Sequence, residues 1–471
     1  MLRLPRVTSL VVFAIVTIAL VAGGVTLFGN RAQAGLDLAP MQGATSALWS
    51  GSIIIQNHGT DPATVVVNFY STTGVLVKSH SLPSPIPAKG TASVDTEAIG
   101  DLPNGFAGSA VVSANQPVSA TFQGFDVTNP AINRTLYNGF ADGANTVYVP
   151  AISNSYADQT SIIAVQNIDS VPATVNILYF ERFTGGQSAT VTDTIPANSS
   201  HYYDSGSLPG GQQLPPPWSG AALIQSTGGR VVAAVHQPYL STNKAVAFEG
   251  TASAGTTVYL PSALYLYAPQ QQTTYIAVQN TQATPITVTI TFYNKDGFVA
   301  GTVGGAMQGY QKQSWNPGSA GIGAGYNGSA VVTATGPVAV VANIGSITDV
   351  SLAYTGQASG TLRQALPYVR WAPDSDSKGW RTYIAVMNVD ASLPADITLR
   401  YYDTNGSLSH TATFTNVAPN TKANHNPSIF IGNGLFIGTV EIQATRSVIA
   451  LVNAMTVDGS LAESYTSLPI P

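Results

Sequence analysis

Residues able to carry chemistry are sparse in this 471-residue chain, and they are scattered. Asp374 and Asp376, in DSDSKG, place two carboxylates two apart ahead of a glycine, which is part of an oxygen-ligand calcium loop. Lys378 stands where another ligand is needed, and no acidic residue closes the loop at the required distance, so a solvated turn explains the stretch as simply. Calcium is the one cofactor this sequence suggests. Six histidines (His58, His80, His201, His236, His410, His425) show no HExxH or other close metal spacing. His201 and Asp204 can be assembled with nearby serines into a triad on paper, but so serine-rich a chain offers such sets everywhere. The glycine-rich GIGAGYNG at residues 321–328 enters a strand-like run instead of a helix, which voids a phosphate-cradle reading. With no cysteine there is no disulfide, thiolate metal site or thiol nucleophile. Catalysis is not expected, and a hydrolase with an unrecognised site is the third reading after the two below.

Two further sets are candidates for binding. Aromatics gather where repeated units begin: Trp49, Tyr156, Tyr265 and Tyr267 with Tyr275, then Tyr368, Trp371 and Trp380. Exposed rings in a row stack on sugar rings or bury in a partner, whereas rings inside joints merely pack. Asn57, Asn167, Asn280 and Asn388 each end an apolar run (IIIQN, IAVQN, IAVQN, IAVMN). They form a polar ligand row or, more simply, satisfy backbone groups at a turn.

Composition limits the partners. Charged residues are 9% of the chain and its net charge is −5, with no cluster of Lys or Arg, so nothing marks a nucleic-acid or anionic-lipid footprint. Arg3 and Arg6 precede an uncharged apolar run at residues 7–28, and Ala32-Gln33-Ala34 has a signal-peptidase form. Residues 1–34 therefore read as a signal peptide or, since 22 apolar residues can span a bilayer, as an uncleaved N-terminal anchor helix. Either way the remainder is placed outside the cytoplasm, and membrane contact is expected only through that segment.

The elements that must position these residues repeat four times. The four asparagines recur at intervals of 110, 113 and 108 residues, followed by a proline and a run ending in paired aromatics (ATVVVNFY, ATVNILYF, ITVTITFY, ADITLRYY). A glycine falls at Gly108, Gly220, Gly328 and Gly438, and Pro150, Pro261, Pro367 and Pro469 mark the unit ends. Four modules follow, at residues 40–149, 150–260, 261–366 and 367–471. Ile286, Val288, Ile290 and Phe292 alternate with Thr287, Thr289, Thr291 and Tyr293, the period of a half-buried strand. Seven or eight strands fit in each module. In GSAVVTATGPVAVV, residues 329–333 and 338–343 read as a β-hairpin, and the recurrent small residues at its start imply close approach of another backbone.

The repeat resembles tandem immunoglobulin-like or fibronectin-like β-sandwich modules of secreted bacterial surface proteins. That resemblance implies an all-β chain of four antiparallel sandwiches. With contacts confined largely to neighbouring modules, the array is expected to be rod-like or gently bent. The expected role is a non-enzymatic structural or adhesive protein of the cell surface or envelope, with cell-surface components, polysaccharide or further copies of the chain as partners. The alternative is a polysaccharide- or polymer-binding protein that uses the aromatics at the module starts.

Overall fold

The computed structural model describes residues 16–20, 49–100, 102–103, 106–126, 135–242, 244–346 and 351–470. Side chains at 16–20, 49–50 and 125–126 lie outside that description. The chain is all-β and is built from antiparallel two-sheet sandwiches. In the second module one sheet is formed by the first (Thr146–Tyr156), sixth (Trp218–Thr227), third (Ala173–Glu181) and fourth (Gln187–Ile195) main strands, with the two-residue strand Gln159–Thr160 on its edge beside the first. The other holds the fifth (Ser200–Asp204), second (Ile162–Asn167), seventh (Val231–Pro238) and eighth (Ala245–Glu249) strands. Modules three and four keep this order, which differs from the ABED/CFG order of immunoglobulin domains. The alternation in Ile286–Tyr293 holds as read, with the aliphatic row buried and the threonines outward.

The stretch read as a hairpin is a crossing between sheets. In module one, Gly108–Ala114 pairs with Val65–Ser71, while Val118–Asp126 pairs with Trp49–Asn57 in the opposite sheet. In module three the two halves are one continuous strand, Tyr326–Gly345, that belongs to both sheets. Two apolar runs around a Gly-Pro turn fit either geometry, because both segments face the same core.

The repeated residues are structural fixtures. A Cβ on Gly108, Gly220, Gly328 or Gly438 would lie only 1.8, 2.0, 2.1 or 2.0 Å from the carbonyl oxygen of Tyr70, Phe180, Tyr293 or Tyr402, respectively, so no side chain fits. Pro150, Pro261 and Pro367 sit inside first strands, where the ladder to the sixth strand shifts register (Gly220/Ala222, Leu260/Ala263, Leu366/Val369). A residue without an N–H belongs at such an irregularity. These strands begin at Thr146, Gly255 and Thr361, so each runs across the expected junction.

All four repeat asparagines are wholly buried. The Asn167 amide donates to the carbonyls of Val171, Ile195 and Pro196 (2.7, 3.1 and 3.1 Å) and its Oδ1 accepts from Asp169 N. Asn57, Asn280 and Asn388 repeat the pattern. Each staples the turn after the second strand to the end of the fourth. We expect Asn167→Ala to cost about 2–4 kcal/mol in chemical unfolding, because several buried backbone groups lose their partner together. Asn176→Ala, on the outward face of the third strand, is expected to stay within about 0.5 kcal/mol; equal losses for the two would refute the staple.

The modules close into a ring, not a rod. The eighth strands Thr135–Asn138, Ala245–Glu249, Ser351–Thr355 and Ala462–Thr466 pack in cyclic order, the fourth against the first. Hydrogen bonds link them around the axis: Asn138 N to Glu249 Oε1 (2.6 Å), Thr355 Oγ1 to Glu249 O (2.6 Å), Ser464 Oγ to Ala353 O (2.8 Å) and Asn138 Nδ2 to Thr466 O (2.7 Å). The cause is a sheet with two apolar faces. Ile162, Ala164, Val232 and Ala234 of module two complete the core of module one, Val341 and Ala353 of module three that of module two, Leu451 and Ala462 of module four that of module three, and Leu136 of module one that of module four. A further contact recurs at the joints: the left-handed residues Lys89, Asn198 and Asn420 accept through their carbonyls from Thr439, Ser109 and Ser329 of the preceding module. At the second joint, where the hydroxyl is replaced by Ala221, Tyr310 stacks on Phe180 with centroids 4.5 Å apart.

Where a signal or anchor helix is expected, Val16–Leu20 forms a strand parallel to Gly108–Ala114, in the place that a first strand takes in the other modules. Val16, Thr17 and Ile18 are β-branched, and a short apolar run of this kind suits a strand as well as a helix. The rest of residues 1–34 lies outside the described residues. Among those described, no helix is long and apolar enough to cross a membrane.

Candidate functional site

The acidic turn is internally occupied. Asp374 pairs with the Arg381 guanidinium and donates its own backbone N–H to Asn433 Oδ1, while Lys378 reaches Asp458 (2.6 Å). Asp376 is exposed, and its carbonyl closes the turn from Gly379. Among the described residues, no three His, Asp or Glu gather where they could hold a metal ion.

The aromatics at the module starts have different fates. Trp371 and Trp380 are buried in module four. The Arg381 guanidinium covers Trp371, and that of Arg370 lies between Tyr368 and Trp380, at 4.0 and 4.6 Å from the ring centroids. Tyr156 is half-buried under Arg182 at 4.6 Å, and Tyr265 lies against Gly318. The side chain of Trp49 falls outside the described residues. Tyr267 lines a cavity together with Tyr383, which the sequence reading had not singled out.

That cavity is a cleft of about 540 Å³ at the joint between modules three and four. The segment after the first strand of module three builds one wall: Tyr267 and Gln272 bridge to each other, and Leu266 and Gln271 take left-handed backbone conformations to turn the chain. The second strand of module four (Trp380–Asn388) supplies Arg381 and Tyr383, and its fifth strand (Lys422–His425) supplies Lys422, Asn424 and His425. Asn327 and Asn453 complete a wall rich in amides. The modules in question are those with lengthened starts, 19 and 21 residues from proline to repeat asparagine against 17 in the first two.

Lys422 dominates the electrostatics. Its side chain is 8% exposed, its Nζ donates to Asn327 Oδ1 at 2.7 Å, and it forms no ion pair among the described residues. Burial lowers its pKa to about 7. The Arg381 charge is already taken by Asp374, and His425, pushed down to about 4 by burial and then by His410, is neutral with its Nδ1 2.6 Å from Tyr401 Oη. The cleft carries one uncompensated cation and, among its described lining residues, no carboxylate. Module three has the equivalent lysine: Lys312 reaches Ser219 Oγ of module two at 3.1 Å, and burial lowers its pKa to about 8. The signal for both was present as a lysine two residues after the left-handed residue in KQSW and KANH, within a chain of only 18 Lys and Arg.

No protein-family model matches this chain, and no curated protein matches it. Among solved structures, 23% of the chain is similar to 95% of a Thermotoga maritima protein at 14% identity and a TM-score of 0.19. One-fifth (20%) is similar to 94% of the Anabaena sensory rhodopsin transducer at 17% identity and a TM-score of 0.17. The partial N-terminal region of the Enterococcal surface protein aligns over 91% of this chain and 97% of its own length, at 8% identity and a TM-score of 0.17. At these values none of them assigns a family or an activity. The fold itself is an all-β ring of four sandwich modules.

Proposed function

We propose that the protein is a non-enzymatic extracellular structural or adhesive platform, in which the ring holds four equivalent contact points rigidly in place. The observation that carries this reading is an exposed apolar side chain, in modules one and three a pair of them, at or beside the turn between the third and fourth strands of every module. Val75, Phe183, Phe298 and Leu408 are 62%, 69%, 71% and 56% exposed. Glycines in the same turns (Gly74, Gly185, Gly297, Gly406) lie against Ala197, Gly309, Ala418 and Ala88 of the next module, which fixes each tip. Fourfold repetition of weak apolar contacts gives avidity that no single tip supplies. The titratable groups support a structural role: His201 bonds Asp193 at 2.7 Å, and His58 lies against Ser119 and Glu441.

The test is retention of the purified protein on cells of its source organism. Changing all four tips to serine is expected to lower retention at least tenfold with the unfolding midpoint unchanged, and single changes to lower it less than threefold. A quadruple variant retained like the parent would sink the adhesive reading. Turnover of ester, peptide or glycoside substrates would sink the non-enzymatic part.

A further inference from the structure

We infer that the cleft between modules three and four is a binding site for a carboxylate-bearing sugar, with Lys422 taking the carboxylate and Tyr267 and Tyr383 flanking the ring. This site is independent of the apolar tips. Its volume, about 540 Å³, is that of a small-molecule pocket. A cation that is more than nine-tenths buried, held by one neutral amide oxygen and facing a cavity, is an electrostatic vacancy in the joint. An anion placed there restores the charge balance, and the short hydrogen bond to Asn327 keeps the amine oriented toward it. Asn327, Asn424, Asn453 and Gln272 present both donors and acceptors, which suits several hydroxyls at once. Tyr383 is 45% exposed and packs edge-on against Trp371 at 5.7 Å, so its ring is braced while a face stays open.

The sister lysine sharpens the assignment. Lys312 occupies the same register at the preceding joint, equally buried, and does not line the cleft. It is the internal control: the same residue type, the same burial and the same kind of cross-joint hydrogen bond.

Calorimetric titration of the whole protein at pH 8 with digalacturonic acid, galactobiose and inorganic phosphate tests the site. The acidic disaccharide is expected to bind, with proton uptake seen as a dependence of the heat on buffer ionisation enthalpy, since Lys422 must regain its proton to meet the carboxylate. Lys422→Met is expected to weaken that binding at least tenfold and to abolish proton uptake, while Lys312→Met leaves both unchanged. Tyr383→Ala, at a half-exposed position, is expected to weaken binding at least tenfold as a second, separate readout. Binding of phosphate alone, equal binding of galactobiose without proton uptake, no binding of any of the three, or undiminished binding by Lys422→Met would each overturn the inference.

Discussion

Arg370→Met is expected to cost about 3–5 kcal/mol of stability, among the largest single-residue losses in the molecule. The Glu463 side chain is fully buried and Arg370 is 7% exposed. The guanidinium pairs with Glu463 Oε1 and is held between the rings of Tyr368 and Trp380, while Gln123 of module one donates to Glu463 Oε2 at 2.6 Å. Methionine keeps the packing of the stem but leaves a carboxylate buried with one neutral partner. The double variant Arg370→Met/Glu463→Leu removes both charges and is expected to recover most of the loss, because the desolvation of each ion offsets much of their attraction. Urea unfolding of the two variants decides the matter: a loss below about 1 kcal/mol for Arg370→Met, or no recovery in the double variant, would contradict a buried, mutually dependent pair.

The position of this pair explains why it is charged. Three joints of the ring are made between modules that follow one another in the chain, so loop closure has already brought the surfaces together. The fourth joint must form between modules one and four with no tether of its own. Among the described residues it carries two buried ionic clusters: the Gln123–Glu463–Arg370 set, and Lys89 bound to Glu441 at 2.9 Å and to the His58 carbonyl at 2.7 Å, with His58 Nδ1 3.6 Å from the same carboxylate. The other joints carry mainly neutral hydrogen bonds, a stacked Tyr310–Phe180 pair and the two buried lysines, with the Glu249 carboxylate and the exposed Arg230–Asp142 pair added between modules one and two. Opposite charges specify which surfaces meet, whereas small apolar faces fit one another in many registers.

The modules were legible because their constraints are local. A glycine where an added Cβ would fall within 2.1 Å of a carbonyl oxygen, an asparagine that staples two turns and an alternating strand each act within one module, and each recurs at a fixed offset. The ring was not read, although a clue was printed in the sequence: IAVQN and VVAAV are continuous apolar runs, as in sheets buried on both faces. Taken one module at a time, such a run satisfies a core; its second face gains meaning only when a neighbouring module is placed against it. The same limit applied to the cleft. Tyr267 was singled out among the aromatics, but Lys422, Asn327 and Tyr383 come from separate strands of two modules and converge only through the joint. Trp371 and Trp380, the more conspicuous aromatics, are covered by arginines.

The two buried lysines also set a pH dependence whose sign is unusual, with thermal stability expected to climb from pH 7 to about 9.5. In the unfolded chain Lys422 and Lys312 titrate near the ordinary lysine value of 10.5, and in the folded protein near 7 and 8. Across pH 8–10 the unfolded state therefore binds between about one and two more protons than the folded one, with the largest difference near pH 9, and stability rises as they are released. Each proton corresponds to about 1.4 kcal/mol per pH unit. Facing Lys422 are Asn327 Oδ1, His425, kept neutral by burial, and Arg381, which is already paired with Asp374. Above about pH 10 the trend reverses, because buried Tyr179, Tyr203, Tyr401 and Tyr465, all raised by burial, stay protonated while their unfolded counterparts ionise. Lys422→Met is expected to raise the unfolding midpoint at pH 7 and to remove about half of the climb, and Lys312→Met to remove much of the rest. In acid the buried histidines act in the same direction: His236 and His425, held near 3 and 4 by burial, leave the unfolded state with the extra protons below pH 6.5, so stability falls as pH drops. A midpoint that is flat between pH 7 and 9.5, or a Lys422→Met variant with the parental slope, would show that the lysine is solvated in the joint and not held there as a buried, uncompensated amine.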